Sequence, residues 1–187
     1  GDDRADEDRS FWDSYYKHKD FAYGKDAISF LRETIKRIPK GKAFVPAMGE
    51  GRNAVFLAKH GFNVVANDIS EVAVDKAQLL AKEQHVNIKA SVVDLKQYKF
   101  AENEFDFILL SLFIDRSLIP GFKKSLKKGG YIMFYQEIYT GDPKKAKTPF
   151  YVKPKELQEL LKDYKMIQYR EYDDNGMRVA GALARKP

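Results

Sequence analysis

The sequence predicts an α/β fold: a three-layer, doubly wound, mostly parallel sheet of seven strands that ends in a C-terminal antiparallel hairpin. From residue 43 onward, short apolar runs alternate with helix-like segments, the order that produces a parallel sheet covered by helices. The run at residues 105–112 is almost continuously apolar, as in a strand buried on both faces. Near the C-terminus, Asn175-Gly176 joins two strand-like segments, and Asn-Gly is a strong hairpin signal.

The N-terminal part of the chain precedes this alternation. Residues 1–10 are mostly charged, and we expect a flexible acidic arm there. Aromatic and aliphatic residues at helical intervals predict helices at residues 10–18 and 26–38, with a break at Tyr23-Gly24. We expect residues 11–187 to form a single domain, with residues 11–38 as its N-terminal helical cap.

The remaining elements follow from apolar spacing and from helix start and stop signals. The predicted strands span residues 43–47, 63–67, 88–93, 105–112, 131–138, 164–172 and 177–185. The predicted helices span residues 52–60, 71–84, 120–127 and 155–163. Ser70 is the expected N-cap of the second of these helices, and Gly129-Gly130 is the expected turn after the third.

Composition limits the possible functions. The chain has no cysteine, which excludes disulfides and thiolate zinc sites, and its 3 histidines lie far apart, so we expect no metal centre. The charged N-terminus is unlike a signal peptide and no apolar run is long enough to cross a membrane, so we expect a cytoplasmic protein without a membrane partner. The net charge of +6 comes from 33 basic and 27 acidic residues, a mixed surface that does not favour nucleic acid as a partner. A monomer and a homodimer both remain open.

A glycine-rich bend follows the first predicted strand. Met48-Gly49-Glu50-Gly51 lies beyond the end of that strand, where ligands bind in doubly wound sheets. Glycine permits a sharp turn and a close approach of the ligand, and the following helix points its N-terminal amides at the same place. Asp68 ends the next strand, where an acid can accept hydrogen bonds from both hydroxyls of a ribose. The arrangement predicts a nucleoside site.

The bend alone does not specify which nucleoside-containing cofactor binds. Residues 49–54 also fit the G-x-G-x-x-G/A fingerprint of dinucleotide enzymes, which makes an oxidoreductase the rival interpretation. A second acid, Asp94, ends the third strand and is well placed for an adenine amino group. The chain also has little room for the substrate domain that many dinucleotide enzymes carry.

Several segments resemble a known family. The bend GEGRN with the following AVFLAKHGFNVVANDIS is similar to class I S-adenosylmethionine-dependent methyltransferases, and more narrowly to their bacterial tellurite-resistance and thiopurine-type branch. FWDSYYKHKDFAYGKDAISFL resembles the N-terminal aromatic segment of that branch, and SLKKGGYIMFYQEIYT resembles its fifth strand. The resemblance begins at about Phe11. It implies a Rossmann-like methyltransferase fold, S-adenosylmethionine as cofactor and a cap that folds over this cofactor.

The resemblance also implies roles for residues at matching positions. Asp68 would hold the ribose, and Asp94 would meet the adenine amino group. The expected cofactor-binding residues are Tyr16, Tyr23, Gly24, Ala47, Gly49, Gly51, Asn53, Asp68, Ile69, Val93, Asp94, Leu95, Ser111 and Leu112. Ala47 stands where the family usually has glycine. Pro46 lies near the position of the usual strand acid, and because proline cannot donate to a sheet, the first strand is expected to end early.

We expect the methyl acceptor to be a small molecule of the thiol, chalcogen or oxyanion type. Methyl transfer from a sulfonium needs positioning and the exclusion of water, and it needs a general base only if the acceptor arrives protonated. The candidates on the acceptor side are Asp115, Arg116, Glu137 and Tyr139, beside a lid at residues 139–152. The alternatives are a nucleic-acid methyltransferase, a dinucleotide-binding oxidoreductase and a non-catalytic binder of S-adenosylmethionine.

Overall fold

The computed structural model describes residues 3–18 and 20–187, and these form two compact units. The first unit contains the described residues up to Arg32 together with Lys40–Lys99. The second contains Glu33–Pro39 and Phe100–Pro187. Among the described residues, no helix combines the length and the apolar character needed to cross a membrane.

The first unit is built around three parallel strands: β1 (Lys42–Val45), β2 (Asn63–Asp68) and β3 (Lys89–Val92). Their order is β3-β2-β1. Parallel neighbours need long connections, which are supplied by α3 (Arg52–Lys59) and α4 (Glu71–Glu83). The register sets Val45 opposite Ala66 and Asp68 opposite Val92, so the carboxyl ends of the three strands share one edge.

The second unit is built around five strands: β4 (Phe105–Ser111), β5 (Leu126–Ile138), β6 (Tyr151–Val152), β7 (Lys165–Asp174) and β8 (Met177–Arg185). Their order is β4-β5-β8-β7, and the short β6 pairs with the end of β5. β4, β5 and β6 run parallel, whereas β7 and β8 form the predicted antiparallel hairpin. Two helices accompany them, α5 (Ile119–Ser125) and α6 (Glu156–Leu160). The predicted α/β class with a C-terminal hairpin is confirmed.

Several local predictions are also confirmed. Ser70 caps α4, with its hydroxyl accepting a hydrogen bond from Ala73 N over 3.1 Å. Asn175 and Gly176 both have positive φ angles, +49° and +85°, as a two-residue hairpin turn requires. β1 ends at Val45, directly before Pro46. Residues 107–110 of β4 are fully buried, as expected for a strand covered on both faces.

The N-terminal prediction needs correction. Helix α1 spans Asp3–Lys17, so residues 3–10 are helical where a flexible arm was expected. Residues 1 and 2 of the predicted arm lie outside the described residues. Acidic side chains near the start of a helix favour it through its dipole, and Arg9 pairs with Asp6 one turn earlier over 3.6 Å. The second helix begins later than predicted: α2 spans Ser29–Thr34 and continues as a 3₁₀ turn at Ile35–Arg37, whereas residues 20–28 have no helix.

Two boundaries in the second unit were also wrong. α5 ends at Ser125, and β5 begins at Leu126 and continues through Gly129-Gly130, where a helix end and a turn were predicted. The C-terminal segment pairs with this stretch, because Gly129 N donates to Lys186 O over 2.8 Å. α6 begins after Lys155, whose φ is +63°, and it ends at Leu160, so the helix predicted at residues 155–163 was too long at both ends.

The predicted lid at residues 139–152 contains structure that the sequence did not indicate. β6 was not predicted, and it fixes the end of this segment beside β5. A two-residue strand is too short to produce a periodic signal, which explains the omission.

Candidate functional site

The predicted glycine bend has the backbone conformation that its composition suggests. Ala47, Gly49 and Gly51 all have positive φ angles, +48°, +60° and +89°. A Cβ atom on Gly51 would lie 2.6 Å from the Cβ of Ala77, and a Cβ on Gly49 would lie 3.1 Å from the hydroxyl of Tyr16. Close contact with Ala77 therefore requires glycine at position 51, and the positive φ angle favours glycine at position 49.

Asp68, the acid predicted to hold a ribose, lies against this bend. Its Oδ2 accepts a hydrogen bond from Gly49 N over 2.9 Å, and its Oδ1 accepts one from Ser70 N over 3.0 Å. The residue is only 6% exposed. Burial raises the pKa of this carboxyl to about 6, although the amides of Ser70, Gly49 and Ile69 act to lower it. One side chain thus sets both the glycine bend and the start of α4.

Asp94, the second predicted acid, follows β3 and lies close to the end of β2. Its neighbour Val93 donates its amide to Asp68 O over 2.9 Å. Asp94 Oδ1 accepts a hydrogen bond from Lys96 N over 3.0 Å, whereas Oδ2 is buried and has no hydrogen-bond partner among the described residues. A buried acceptor without a partner costs about 1–3 kcal/mol. An adenine amino group would satisfy this oxygen, so the residues present fit an adenosyl cofactor.

The end of α1 packs onto the same site. Tyr16 is 5% exposed, and burial together with the nearby Asp68 carboxylate raises the pKa of its hydroxyl. Asp13 Oδ1 accepts a hydrogen bond from Ser70 Oγ over 2.6 Å, which ties α1 to the N-terminus of α4. Lys76 Nζ, from α4, donates to Tyr16 O. The predicted N-terminal cap therefore covers the glycine bend.

Three polar side chains hold the irregular segment at residues 20–28. They are Glu50 of the bend and Arg52 and Asn53 of α3, and we name these three residues the clasp. Glu50 Oε1 accepts a hydrogen bond from Ala22 N over 2.6 Å, and Arg52 Nη1 donates to Tyr23 O over 3.0 Å. Asn53 was predicted to bind the cofactor, but its Oδ1 accepts a hydrogen bond from the Ile28 amide over 3.0 Å.

The other predicted cofactor residues of the first unit are located around these contacts. Tyr23 is 37% exposed, with the Arg52 guanidinium 5.6 Å from its ring centre. Gly24 has a φ of +81°, and apart from its chain neighbours no atom of the described residues lies within 4 Å of a Cβ placed on it. Leu95 is buried, whereas Ile69 and Val93 are half-buried beside the two acids.

The second unit contains the remaining two predicted cofactor residues. Ser111 ends β4, and Leu112 follows with a φ of +51°. Gln136, which sequence reasoning missed, shapes this turn from the neighbouring strand. Its Nε2 donates to Leu110 O over 3.0 Å and to Phe113 O over 2.8 Å.

Two of the acceptor-side candidates have structural contacts. Glu137 is 3% exposed, and its carboxylate accepts hydrogen bonds from Thr148 N, Thr148 Oγ1 and Lys147 N over 2.8, 3.0 and 2.9 Å. Asp115 Oδ1 accepts two bonds from Ser117, one from its amide and one from its hydroxyl. Glu137 thus anchors the predicted lid, and Asp115 caps a short turn after β4.

The other two candidates line a cavity of about 400 Å³ beyond the carboxyl ends of β4 and β5. Arg116 binds the carboxylate of Glu156 through Nε and Nη2 over 2.6 and 2.9 Å, and this guanidinium holds the pKa of Glu156 below its usual value. The hydroxyphenyl ring of Tyr139 packs edge-to-face on that of Tyr151, with centres 6.0 Å apart. The wall of this cavity therefore contains both aromatic and charged side chains.

Some of the residues that sequence reasoning missed have a recognisable sequence signal, and others have none. Gln136 is a polar residue within an apolar strand, which is a usable signal for a buried amide with a specific role. Glu50 lies in a polar turn and Arg52 begins α3, two places where charged residues are ordinary, and their partners lie in a segment without helix or strand. Among residues 3–18 and 20–187, no group of three or more His, Asp or Glu residues could hold a metal ion.

Comparisons with known proteins find a matching family and related structures. The family model described as "Tellurite resistance protein TehB" matches residues 12–180. A relative described as "Probable S-adenosyl-L-methionine-dependent methyltransferase TehB", from Haemophilus influenzae, is 29% identical over 195 residues. That match covers 92% of this chain and 68% of the relative.

Solved structures show the same fold. The crystal structure of TehB from Haemophilus influenzae has a TM-score of 0.75 at 24% identity, over 94% of this chain and 67% of that one. Magnesium protoporphyrin IX methyltransferase from Synechocystis PCC 6803, crystallised with S-adenosylmethionine, has a TM-score of 0.70 at 15% identity. This match covers 98% of this chain and 97% of the Synechocystis chain.

Proposed function

Because the chain belongs to the TehB family and is an S-adenosylmethionine-dependent methyltransferase, we propose that it methylates a small molecule of the thiol, chalcogen or oxyanion type. The observation that carries this proposal is the cavity of about 400 Å³ beyond β4 and β5. Pockets for small ligands measure roughly 300–1,000 Å³. The family description, which refers to tellurite resistance, supports a chalcogen oxyanion as one acceptor to test.

We assign the predicted cofactor contacts to this chain as part of the proposal. S-adenosylmethionine supplies an activated methyl group when it is bound. Asp68 would accept hydrogen bonds from the ribose hydroxyls, and Asp94 Oδ2 would accept one from the adenine amino group. Gly49 and Gly51 would shape the turn that faces the methionine end, since both adopt positive φ angles. Support comes from the buried, unpartnered Oδ2 and from the positive φ angles of both glycines.

The side chains on the acceptor side support an acceptor that arrives ionised. Both oxygens of Glu137 accept hydrogen bonds from the lid, and Arg116 forms an ion pair with Glu156. Neither is arranged to remove a proton from a substrate. Thiolates and chalcogen oxyanions need no such step, so the contribution of the protein is to orient the acceptor and exclude water.

The family assignment decides against the dinucleotide oxidoreductase and the non-catalytic binder considered from the sequence. A nucleic-acid acceptor gains little support from the lysines near α5. Lys123 donates to Leu160 O over 2.8 Å and pairs with Asp163 over 2.7 Å. Lys127 pairs with Asp106 over 3.4 Å. These contacts engage two of the four lysines of the cluster Lys123, Lys124, Lys127 and Lys128, which could form a basic patch.

A methyl-transfer assay tests the proposal. Purified protein with labelled donor is offered thiols, thiopurines, selenite, tellurite and RNA in parallel. We expect transfer to at least one small acceptor and none to RNA. Transfer to RNA alone, with a binding affinity that falls steeply as salt increases, would overturn the proposal.

A further inference from the structure

The cap segment at residues 20–28 is held in place although it has no helix or strand. Such segments usually leave their amides to water. Here all three clasp side chains bond to its main chain, at Ala22, Tyr23 and Ile28. The contacts connect residues 25–29 positions apart, so local turn geometry does not explain them.

The two acceptor groups of the clasp are deeply buried. Asn53 is 5% exposed, and the side chain of Glu50 is 4% exposed. The second oxygen of Glu50 binds Lys76 Nζ over 3.0 Å, and the same ammonium group donates to Tyr16 O. Glu50 therefore joins the irregular segment, the end of α1 and α4. Loss of such an acceptor leaves a buried donor unsatisfied, which is costly.

We propose that the three clasp residues are positioning residues that keep the cap closed over the nucleoside site and thereby limit the exchange of S-adenosylmethionine and its demethylated product. Glu50 of the clasp lies in the same bend as Gly49, Arg52 and Asn53 lie in the first turn of α3 directly after it, and Asp68 holds the Gly49 amide. The hydroxyl of Tyr16, in the cap, lies directly over Gly49. A nucleoside that enters beside Gly49 requires this cover to open, and opening it breaks the clasp bonds.

The chain supplies a matched control in the same segment. Lys25 pairs with Glu83 of α4 over 3.3 Å, and both side chains are about half exposed, at 47% and 54%. Exposed pairs of this kind contribute little to stability. Lys25→Ala thus removes a contact between the cap segment and α4 without removing a buried acceptor.

Hydrogen exchange of the free protein tests the clasp directly. We expect the Ile28 amide to exchange slowly in the wild type and at least tenfold faster in Asn53→Ala. Asn53→Asp keeps an oxygen acceptor and should restore protection. Lys25→Ala should leave the rate within twofold of the wild type. A fast Ile28 amide in the wild type, or equal protection in Asn53→Ala, would overturn the proposal.

The rate of product release tests whether the clasp limits exchange of the cofactor. The dissociation rate of S-adenosylhomocysteine, measured by stopped-flow fluorescence, should rise at least tenfold in Asn53→Ala and in the half-buried Arg52→Met. It should not change in Lys25→Ala. Unchanged dissociation in both clasp variants, with wild-type melting temperatures, would contradict the proposal. If Asn53→Ala does not fold, Arg52→Met decides the question. No acceptor is needed, so this outcome is independent of the proposed acceptor class.

Discussion

The carboxylate of Asp68 accepts a hydrogen bond from the amide of Gly49 over 2.9 Å, so one side chain at the end of β2 fixes the turn that follows β1. Asp68→Ala should therefore disturb the bend and remove the proposed ribose contact together. We expect the affinity for S-adenosylhomocysteine to fall at least tenfold. Isothermal titration calorimetry measures it, and an affinity equal to that of the wild type would remove Asp68 from the site.

Because the pKa of Asp68 is raised, we expect cofactor binding to depend on pH. Burial raises this pKa from 3.8 to about 6, so the folded protein holds the proton more tightly than the unfolded chain. This group alone contributes stability that is complete below pH 3.8 and is lost as the pH rises through about 6. Binding should change in the opposite direction, because ribose hydroxyls donate more strongly to an ionised carboxylate.

The affinity for S-adenosylhomocysteine should accordingly fall about tenfold between pH 7 and pH 5, since a group with a pKa near 6 is mostly protonated at pH 5. Asp13, which also faces this region and acts to raise the Asp68 pKa, is unchanged in the control variant Asp68→Asn. That variant should bind with little pH dependence. A wild-type affinity that is equal at both pH values would contradict the role of the carboxylate.

Asp94 should show opposite effects on stability and binding. Asp94→Asn keeps an oxygen that can accept from Lys96 N and replaces the unpartnered buried Oδ2 with an amide nitrogen. We expect a melting temperature equal to or above that of the wild type, because a neutral amide costs less to bury than a carboxylate oxygen, even though its two donors take the same buried position. The affinity for S-adenosylhomocysteine should fall at least tenfold, since an amide nitrogen cannot accept from an adenine amino group. A loss of stability without a loss of affinity would show that Oδ2 has a structural role.

Ala47 is a site at which the protein can be stabilised. Its φ of +48° costs an L-residue roughly 1–2 kcal/mol, and part of this is offset because glycine loses more chain entropy on folding. Ala47→Gly should raise the free energy of unfolding by roughly 0.5–1 kcal/mol, measured by urea denaturation. Ala47→Val should lower it. Destabilisation by glycine would indicate that the methyl group packs usefully here.

The variant Glu137→Gln distinguishes two possible roles of Glu137, a structural anchor of the lid and a general base. Glu137→Gln keeps an oxygen for Thr148 and loses the acceptor for Lys147 N, so it should reduce stability modestly and retain more than a tenth of kcat. A general base would lose roughly 10²–10⁴-fold. Steady-state kinetics with the acceptor identified in the transfer assay decides the matter, and a loss in the upper range would reinstate Glu137 as a base.

The parts of the fold that could be predicted are those with a local signal. β4 is a dense apolar run, Ser70 precedes a helix, and Asn175-Gly176 favours one type of turn, and each gave the right element. The end of α5 could not be predicted in this way, because Leu126 is recruited into β5 by pairing with Phe105, a partner distant in sequence. Likewise, α6 is shortened at its start by the left-handed conformation of Lys155, which no sequence rule requires.

In the candidate site, too, features with a local sequence signal could be predicted, and features set by distant partners could not. Strand ends and glycines are local features, so the bend and its two acids could be placed before the structure was known. Glu50 and Asn53 could not be assigned to the cap segment, because their partners at Ala22 and Ile28 are main-chain amides without a sequence signature. Glu137 was predicted as an acceptor-side candidate because it lies at the end of a strand, and its hydrogen bonds to Lys147 and Thr148 could not be predicted because those partners lie in a loop without a sequence signature.

We propose that the ends of β2 and β3 hold an adenosyl group through Asp68 and Asp94. A crystal structure of the wild-type protein with S-adenosylhomocysteine would show these contacts. We predict the ribose hydroxyls within hydrogen-bond distance of the Asp68 carboxylate and the adenine amino group on Asp94 Oδ2. A nucleoside bound elsewhere, or Tyr16 and the clasp still closed over a site without a nucleoside at saturating concentration, would contradict the account.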